Sequence, residues 1–566
     1  MPETESPKSF LRHARLIGGL TLLSRVLGLA REAAAGHFLG TGLVASAFTL
    51  AFTVPNLFRK LLGEGALSQA FIPLYAQAVR RGHTESGAEP AAFAAGSVKL
   101  LVAILLAITV LGEVGLLGTA LLMDDPRPDR RLMLGFAAVM LPYVLLVCGG
   151  AFLSAILQVH KRFGTPAAAP LILNGVHIAV VVGGAWFLGL RGSMTDDDTV
   201  IALQTRLAYA LAFGVLVAGV LQVAILLPAL RAIGFRFKFA VPAWTPDTRK
   251  MLLLSLPVAM GAAVLQISVL LDKGISYALM QGVGHAGERL LNFEVFGHVV
   301  RYPMELGAVR RLDMAQLMYQ FPLGVFAIAL ATAIFPSLSA GAADADKTEF
   351  KRVCREGVTA TLWEGIPATV GLMLVAEPAV RLLFQHGQTT GHDAALIARS
   401  TVCYAAGVWA YSLLQVVNRG FYALHDTKTP LVASVVNIVL NLAVELPLVW
   451  RIGEVGMAIG TAVSFSVQVL VMLWVLDRRV GGIGLPAVWK SAGKITGATL
   501  VMLGVCTLVR ASPLYPTGDT RAAWAGQLTL ITGVGGGAYL AMSHLLGLHV
   551  PLRRGRSSAP SPSGGG

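Results

Sequence analysis

Apolar runs divided by short polar or basic connections recur from residue 14 to residue 547. A helix crosses the hydrocarbon core with about 20 mainly apolar residues, and by that measure the chain holds about fourteen spans. They run over 14–38, 42–80, 92–123, 132–159, 166–190, 200–231, 249–281, 314–341, 356–384, 391–424, 428–451, 453–477, 485–510 and 521–547. The second is long and is interrupted at Gly63 and Gly65. Outer-membrane strands alternate over about 10 residues, and these runs are too continuous for that. The pattern predicts an all-α polytopic membrane protein.

The halves of the pattern resemble each other. Pro73 in QAFIPLYAQ and Pro336 in TAIFPSLSA lie 263 positions apart, and Pro166 in HKRFGTPAAAPLILN and Pro430 in HDTKTPLVASVVN lie 264 apart. Nearly constant spacing across an even number of spans predicts two parallel, pseudo-symmetric six-helix lobes plus two C-terminal helices. Short Pro motifs also recur by chance, since Pro marks many helix ends. The expected division is an N-terminal lobe over 1–240, a C-terminal lobe over 241–480, two further helices over 481–550 and a disordered tail over 551–566. Transporters built this way hold substrate at the repeat interface, so a cleft lined by the first two spans is expected.

Composition agrees: 55% of residues are hydrophobic and 13% charged, against about 25% charged in soluble proteins. The net charge of +14 does not call for nucleic acid, because its basic clusters fall on one face. Lys8, Arg12 and Arg15, then Arg80 and Arg81, Lys161 and Arg162, Arg249 and Lys250, Lys351 and Arg352, Arg478 and Arg479, and finally Arg553 and Arg554 share that side if the spans alternate. The positive-inside rule then puts both termini in the cytoplasm, and the expected location is the cytoplasmic (inner) membrane. The first apolar run leads straight into charged sequence, so it is expected to remain as a span and not to be cleaved as a signal peptide. The four cysteines stand singly and are expected to be packing residues. Residues 282–313 are too charged for a span; they predict an outer-face insertion, either a plain surface loop or a basic lip carrying Arg301, Arg310 and Arg311.

Charge within the spans carries the chemistry. The stretch 24–69 is apolar enough for a bilayer yet holds Arg25, Arg31, Glu32, Arg59, Lys60 and Glu64. Each charge at a helix centre costs roughly 2.5–3.5 kcal/mol on insertion scales, so such groups face a bundle interior or a wet cavity. Arg25 and Glu32 share a face, Gly28 between them allows close approach, and Arg31 is turned about 120° toward a neighbour. Arg and Glu on one helix can neutralise each other, but here four cations meet two acids. The surplus predicts an anion site, and the planar guanidinium fork suits phosphate or pyrophosphate. Arg25, Arg31, Arg59 and Lys60 are therefore the candidate substrate-binding residues, with Glu32 and Glu64 as gating or charge partners. Pro55 and the Gly63–Glu64–Gly65 step loosen the second span, which is tolerated at depth only against protein or water. Asp272, beside Lys273 in the seventh span, is a further gating candidate, in a local pair or a cation site. His177 is expected to be a hydrogen-bonded core histidine. Enzyme signatures such as GxSxG, Walker and HExxH are absent. The chain is expected to be a transporter with no cofactor or metal, driven by a gradient, the membrane potential or the substrate's own imbalance.

SRVLGLARE (24–32), PNLFRKLLGEGALSQAFIPLYA (55–76), YQFPLGVFAIALATAIFPSLS (319–339), RLLFQHGQTT (381–390) and NRGFYALHDTKTP (418–430) resemble the MurJ/MviN family, the lipid II flippases of the MOP exporter superfamily. The resemblance runs over about residues 14–510. It implies fourteen helices in two lobes around a cationic cavity. It also implies alternating-access movement of lipid II, the undecaprenyl-pyrophosphate-linked disaccharide-pentapeptide, to the outer leaflet for peptidoglycan synthesis and cell shape. The last two helices would form a groove for the lipid tail, and membrane lipids and other cell-wall synthesis proteins would be the remaining partners. Arg25, Arg31, Arg59 and Glu64 match the family pattern, and Glu32 stands where Asp is usual. Three positions depart from it: Ser46 replaces a customary Asp, and Gln316 and Leu317 replace an acidic–Arg pair. Arg310 and Arg311, about two turns earlier, are the cations placed to substitute. Two alternatives stay open: an exporter of another polyprenyl-pyrophosphate-linked saccharide, and a non-transporting membrane scaffold that has lost part of the cavity charge.

Overall fold

The computed structural model describes residues 7–123, 127–190, 197–235, 241–284, 287–344 and 346–548. The side chains of Lys8, Arg12, Arg15 and Glu64, and the tail with Arg553 and Arg554, lie outside the described part. Eighteen α-helices follow in order: α1 (Pro7–Leu39), α2 (Leu43–Phe58), α3 (Leu67–Arg81), α4 (Pro90–Leu122), α5 (Pro128–Met140), α6 (Tyr143–Val159), α7 (Gly164–Leu188), α8 (Asp197–Ala232), α9 (Pro246–Ala278), α10 (Ala308–Pro322), α11 (Ile328–Ala343), α12 (Thr348–Phe384), α13 (Gly391–Ala405), α14 (Val408–Ala423), α15 (Lys428–Ile452), α16 (Val455–Val480), α17 (Leu485–Ala511) and α18 (Arg521–Leu545). A π-helical stretch, Arg59–Ala66, carries α2 into α3, and another, Leu323–Ala327, carries α10 into α11. A break at Leu141 and Pro142 separates α5 from α6, and α13 meets α14 at a bend of 44°. With those four pairs each taken as one, fourteen helical segments remain among the described residues, as the apolar pattern predicts.

The protein is an all-α polytopic membrane protein with a small β insertion. Among the described residues nine segments are long and apolar enough to cross a bilayer, one of them α5 and α6 taken together, and ten if the bent α13–α14 pair also counts as one. Those that fall short include α1, α2–α3 and α10, which carry the charges singled out above. The α4 face with Leu106, Val110, Val114, Leu117 and Leu121 is exposed. Its three-to-four residue spacing marks a helical stripe, and apolar side chains so placed suit hydrocarbon.

The chain packs into two units, Met1–Met314 with Leu383–Ala394, and Ala315–Leu382 with Ala395–Gly566. In the first, α1 lies along α7, α7 along α8, α2 along α5, and α9 against the Arg59–Ala66 stretch. Leu39, Ala45, Val181, Ala185, Leu207 and Leu211 form part of its core. In the second, the core is built from Ile334 and Leu338 of α11, Phe350 and Cys354 of α12, Val417 and Phe421 of α14, and Met472 and Leu476 of α16. A smaller cluster joins Leu374 to Met502, Cys506, Ile531 and Tyr539 of α12, α17 and α18. Cys148, Cys354 and Cys506 are buried and outside any disulfide among the described residues, which fits their expected packing role.

The insertion is two antiparallel hairpins, β1 (Gly282–Val283) with β2 (Arg289–Leu290) and β3 (Asn292–Val295) with β4 (His298–Arg301). Phe296 and Gly297 turn the second at φ of 51° and 78°, the positive values that a two-residue hairpin loop requires. Tyr302 anchors it, receiving a hydrogen bond from Arg127 Nη1 at 2.7 Å. The inserted segment ends sooner than expected. Helix α10 starts at Ala308 because Ala308, Val309, Leu312 and Ala315 make a buried helical face. Arg310 and Arg311 are thereby helical and buried, at 7% and 1% exposure, and form no exposed lip. Arg301 does lie on an exposed strand.

Candidate functional site

The site is built on α1. Gly28 leaves room for α7: a Cβ there would lie 3.9 Å from Asn174 Nδ2. Asn174 donates to the Ser24 carbonyl at 3.0 Å and accepts from Arg31 Nη1 at 3.1 Å. Arg31 also donates through Nε and Nη2 to Glu32 Oε1, at 3.1 and 2.6 Å. The other oxygen, Glu32 Oε2, is 2.7 Å from Arg310 Nη2 of α10. Arg310 Nη1 stands 3.6 Å from Asp313 Oδ2, one turn on, and Asp313 Oδ1 accepts from Lys273 Nζ of α9. Arg31, Glu32, Arg310, Asp313 and Lys273 thus form a ladder of alternating charge across α1, α10 and α9, within the first unit.

Three cations in that ladder share two carboxylates. All five side chains are at most 30% exposed, and charges held this way interact more strongly than they would in water. Arg25, half-buried on the same helix, is about 10.5 Å down the axis from Glu32, and no carboxylate pairs with it among the described residues. Arg59 is half-buried at the start of the π stretch, its Nε donating to Asn56 Oδ1 at 3.4 Å, and Lys60 beside it is exposed. Glu64 is in the same stretch. Asp272 is half-buried next to Lys273, but Lys273 turns to α10. The structure therefore brings Arg31 and Glu32 together and adds Arg310, Asp313 and Lys273. No group of three or more metal-ligating side chains occurs among the described residues.

The three departures have structural places. Ser46 is fully buried and donates to the Thr41 carbonyl at 3.1 Å. Gln316 Nε2 donates to the Tyr404 hydroxyl at 3.1 Å in the second unit, and Leu317 is half-buried there. His177 corrects an expectation. It is 3% exposed, on α7 one turn after Asn174, with its ring 5.7 Å from that of Phe52. Its Nε2 has no hydrogen-bond partner among the described residues.

The far end of α1 is clamped by the segment Leu383–Ala394, which packs in the first unit although the residues on either side belong to the second. The Gln388 amide donates to the His37 carbonyl at 2.9 Å, Thr389 Oγ1 donates to the Gly36 carbonyl at 2.8 Å, and His37 Nδ1 and His386 Nδ1 are 3.1 Å apart. Asp393 accepts from Thr41 Oγ1 at 2.7 Å and from Arg311 Nη1 at 3.3 Å. A Cβ on Gly387, whose φ is +63°, would meet the His37 carbonyl oxygen at 2.1 Å.

Of these residues, Asn174 was missed in the sequence, where it is one amide in an apolar run. The Arg310–Asp313 pair did carry a signal, the i,i+3 spacing of opposite charges on a helix, but it falls in a segment too polar to stand out as a span. Chemically the ladder can hold an anion: an arriving phosphate oxygen can compete with Glu32 for two guanidinium groups already turned to one point.

A sequence model of the family described as "Lipid II flippase MurJ" matches residues 35–519. The probable lipid II flippase MurJ of Rhizobium meliloti (strain 1021) is 32% identical over 477 residues, 83% of this chain and 81% of the relative. Lipid II flippase MurJ of Burkholderia cenocepacia is 28% identical over 564 residues, 96% of this chain and 98% of that one. Among solved structures, a lipid II flippase MurJ in an inward closed conformation has the same fold, with a TM-score of 0.70 at 22% identity over 94% of this chain and 98% of its own. An inward-facing multidrug-resistance MATE transporter of the MOP superfamily shares the fold more distantly, with a TM-score of 0.60 at 14% identity, 82% of this chain and 96% of its own. With most of its length matched by the family's sequence model, this chain belongs to the MurJ family.

Proposed function

We propose that the chain is a flippase, not an enzyme, and that it carries lipid II from the inner to the outer leaflet of the cytoplasmic membrane by alternating access. The observation that carries this reading is the uncompensated cation in the Arg31–Glu32–Arg310–Asp313–Lys273 ladder, with Arg25 on the same helix. A pyrophosphate cannot enter hydrocarbon unaided, because moving an isolated charge there costs tens of kcal/mol. A buried cationic site replaces its water. Arg25, Arg31 and Arg59, with Lys60 near the edge, hold the pyrophosphate; Glu32 and Glu64 position those cations or gate access, and Asp272 serves beside them. The family names of the relatives support lipid II as the cargo.

An inside-negative membrane favours outward passage of the anion by about 2.3 kcal/mol per net charge per 100 mV. The same potential draws the emptied, net-positive site back. Both termini are cytoplasmic in this reading, and membrane lipids and other cell-wall synthesis proteins are its partners. Complementation of a strain depleted of its lipid II flippase tests it, with a leaflet-accessibility assay for lipid II. Arg25→Ala and Arg59→Ala are expected to abolish rescue and flipping while the protein still reaches the membrane. Rescue equal to wild type by both variants would overturn the proposal.

A further inference from the structure

Arg310 is the central member of the ladder and faces two carboxylates. Glu32 is shared with Arg31, and Asp313 is shared with Lys273. An anion that displaces Glu32 still finds Asp313 on the other side of the same guanidinium. Whether Arg310 can then bind it depends on how fully Asp313 neutralises Arg310. Lys273 decides this, since its ammonium takes Asp313 Oδ1 while Arg310 stands 3.6 Å from Oδ2. Arg310 has its closer contact, 2.7 Å, with Glu32, the acid an arriving anion would replace. Asp272, the next residue along α9, is turned about 100° from Lys273 around the helix.

We propose that Lys273 is a positioning residue for the transported anion: by holding Asp313, it keeps Arg310 free to bind the pyrophosphate of the lipid-linked substrate. The inference rests on the flippase reading and assigns a role to two side chains that the reading leaves unused. The ladder has a net charge of +1. Without Lys273 it falls to zero, without the Asp313 charge it rises to +2, and without both it returns to +1. Substrate affinity follows that order. An ordinary structural ion pair behaves differently: losing either partner destabilises the fold, losing both restores it, and affinity in the folded protein does not track the count.

The experiment titrates purified lipid II onto the full chain in detergent micelles at fixed ionic strength, using wild type, Lys273→Met, Asp313→Asn and the double variant, each checked for monodisperse elution. Lys273→Met is expected to weaken binding about tenfold, a change typical of a close charge coupling. Asp313→Asn is expected to tighten it, and the double variant to return near wild type. Lys273→Arg, which keeps the charge, is expected to retain affinity. A folded Lys273→Met protein with wild-type affinity overturns the proposal, as does a double variant that stays as weak as Lys273→Met. Should Lys273→Met fail to fold, weaker binding by Asp313→Asn is by itself sufficient to overturn it. Arg31→Ala in the same titration separates the two levels. If it weakens binding while the Lys273 and Asp313 set does not, only the positioning role fails; if it leaves binding unchanged, the site reading fails.

Discussion

Replacing Arg310 by Met removes the middle of the ladder while keeping an unbranched stem in its place. Two effects follow, and the geometry separates them. In the empty protein, Glu32 keeps both donors of Arg31, at 3.1 and 2.6 Å, and Asp313 keeps Lys273. Neither acid is stranded, so the cost to the fold is that of one lost charged hydrogen bond, about 1.5–3 kcal/mol. It stays below the 3–5 kcal/mol of a buried charge left uncompensated. For the ligand, one guanidinium contact is lost and the ladder's net charge drops from +1 to zero. A charge-assisted bond of about 1.5–3 kcal/mol corresponds to roughly 10- to 150-fold in affinity. Arg310→Lys keeps the charge without the two-pronged geometry and should fall between. The assay is lipid II binding with parallel flipping in proteoliposomes, at low and high salt, since a buried contact is screened little. Arg352→Met is the control: Arg352 forms exposed pairs with Glu349 and Glu356 on α12, and such pairs contribute about 0–1 kcal/mol. Wild-type affinity in folded Arg310→Met, or an equal loss in Arg352→Met, refutes the reasoning.

Other outcomes follow from the geometry away from the ladder. Gly387→Ala places a methyl where φ is +63° and the His37 carbonyl oxygen is 2.1 Å away; backbone strain and overpacking each cost about 1–3 kcal/mol. The Gln388 amide, bonded to that carbonyl, should exchange hydrogen faster, and unchanged protection would contradict the clamp. In the turn between α14 and α15, burial pushes the pKa of Asp426 up, but bonds from Thr429, the charge of Arg479 and the Lys428 amide outweigh it and hold the carboxyl below its ordinary value. A lowered pKa gives stability that is present above the ordinary value and lost as pH falls through the folded one. The thermal midpoint should therefore drop below about pH 4 in wild type and less so in Asp426→Asn. Parallel pH profiles would contradict this.

Most of the fourteen helical segments were legible because they bury or expose an apolar stripe long enough to be read without knowing its neighbours. The α4 stripe from Leu106 to Leu121 faces outward and α11 packs inward, yet in the sequence both are simply apolar. Arg25, Arg31 and Glu32 were legible for the opposite reason, as charges where charge is costly. Arg310, Asp313 and Asn174 were less so. Asn174 acts only by meeting Gly28 and Arg31 across 143 residues from the latter, and no spacing within α7 encodes that. His177 is the core residue expected, but its Nε2 lacks the expected hydrogen bond among the described residues, and Phe52, whose ring lies beside it, is on another helix.

Arg310 and Leu317 show what helical spacing does to a buried charge. By the resemblance drawn from the sequence, Leu317 is expected to stand where the family pattern has Arg; Arg310 lies seven residues before it on the same helix. Seven residues are nearly two turns, so the two positions share a face about 10.5 Å apart along the axis. A cation at the earlier position meets Glu32, whereas Leu317 and its neighbour Gln316 fall among residues of the second unit, where Gln316 bonds Tyr404. Helical periodicity preserves the face a cation presents, but not its depth. Arg310 puts its positive charge at a level of α10 where α1 supplies a carboxylate and α9 supplies Lys273. At that level Glu32, one methylene longer than an Asp would be, reaches both guanidinium groups at once, through Oε1 to Arg31 and Oε2 to Arg310. Glu32→Asp is thus a sharper test of this arrangement than Glu32→Gln, because it keeps the charge and shortens only the reach.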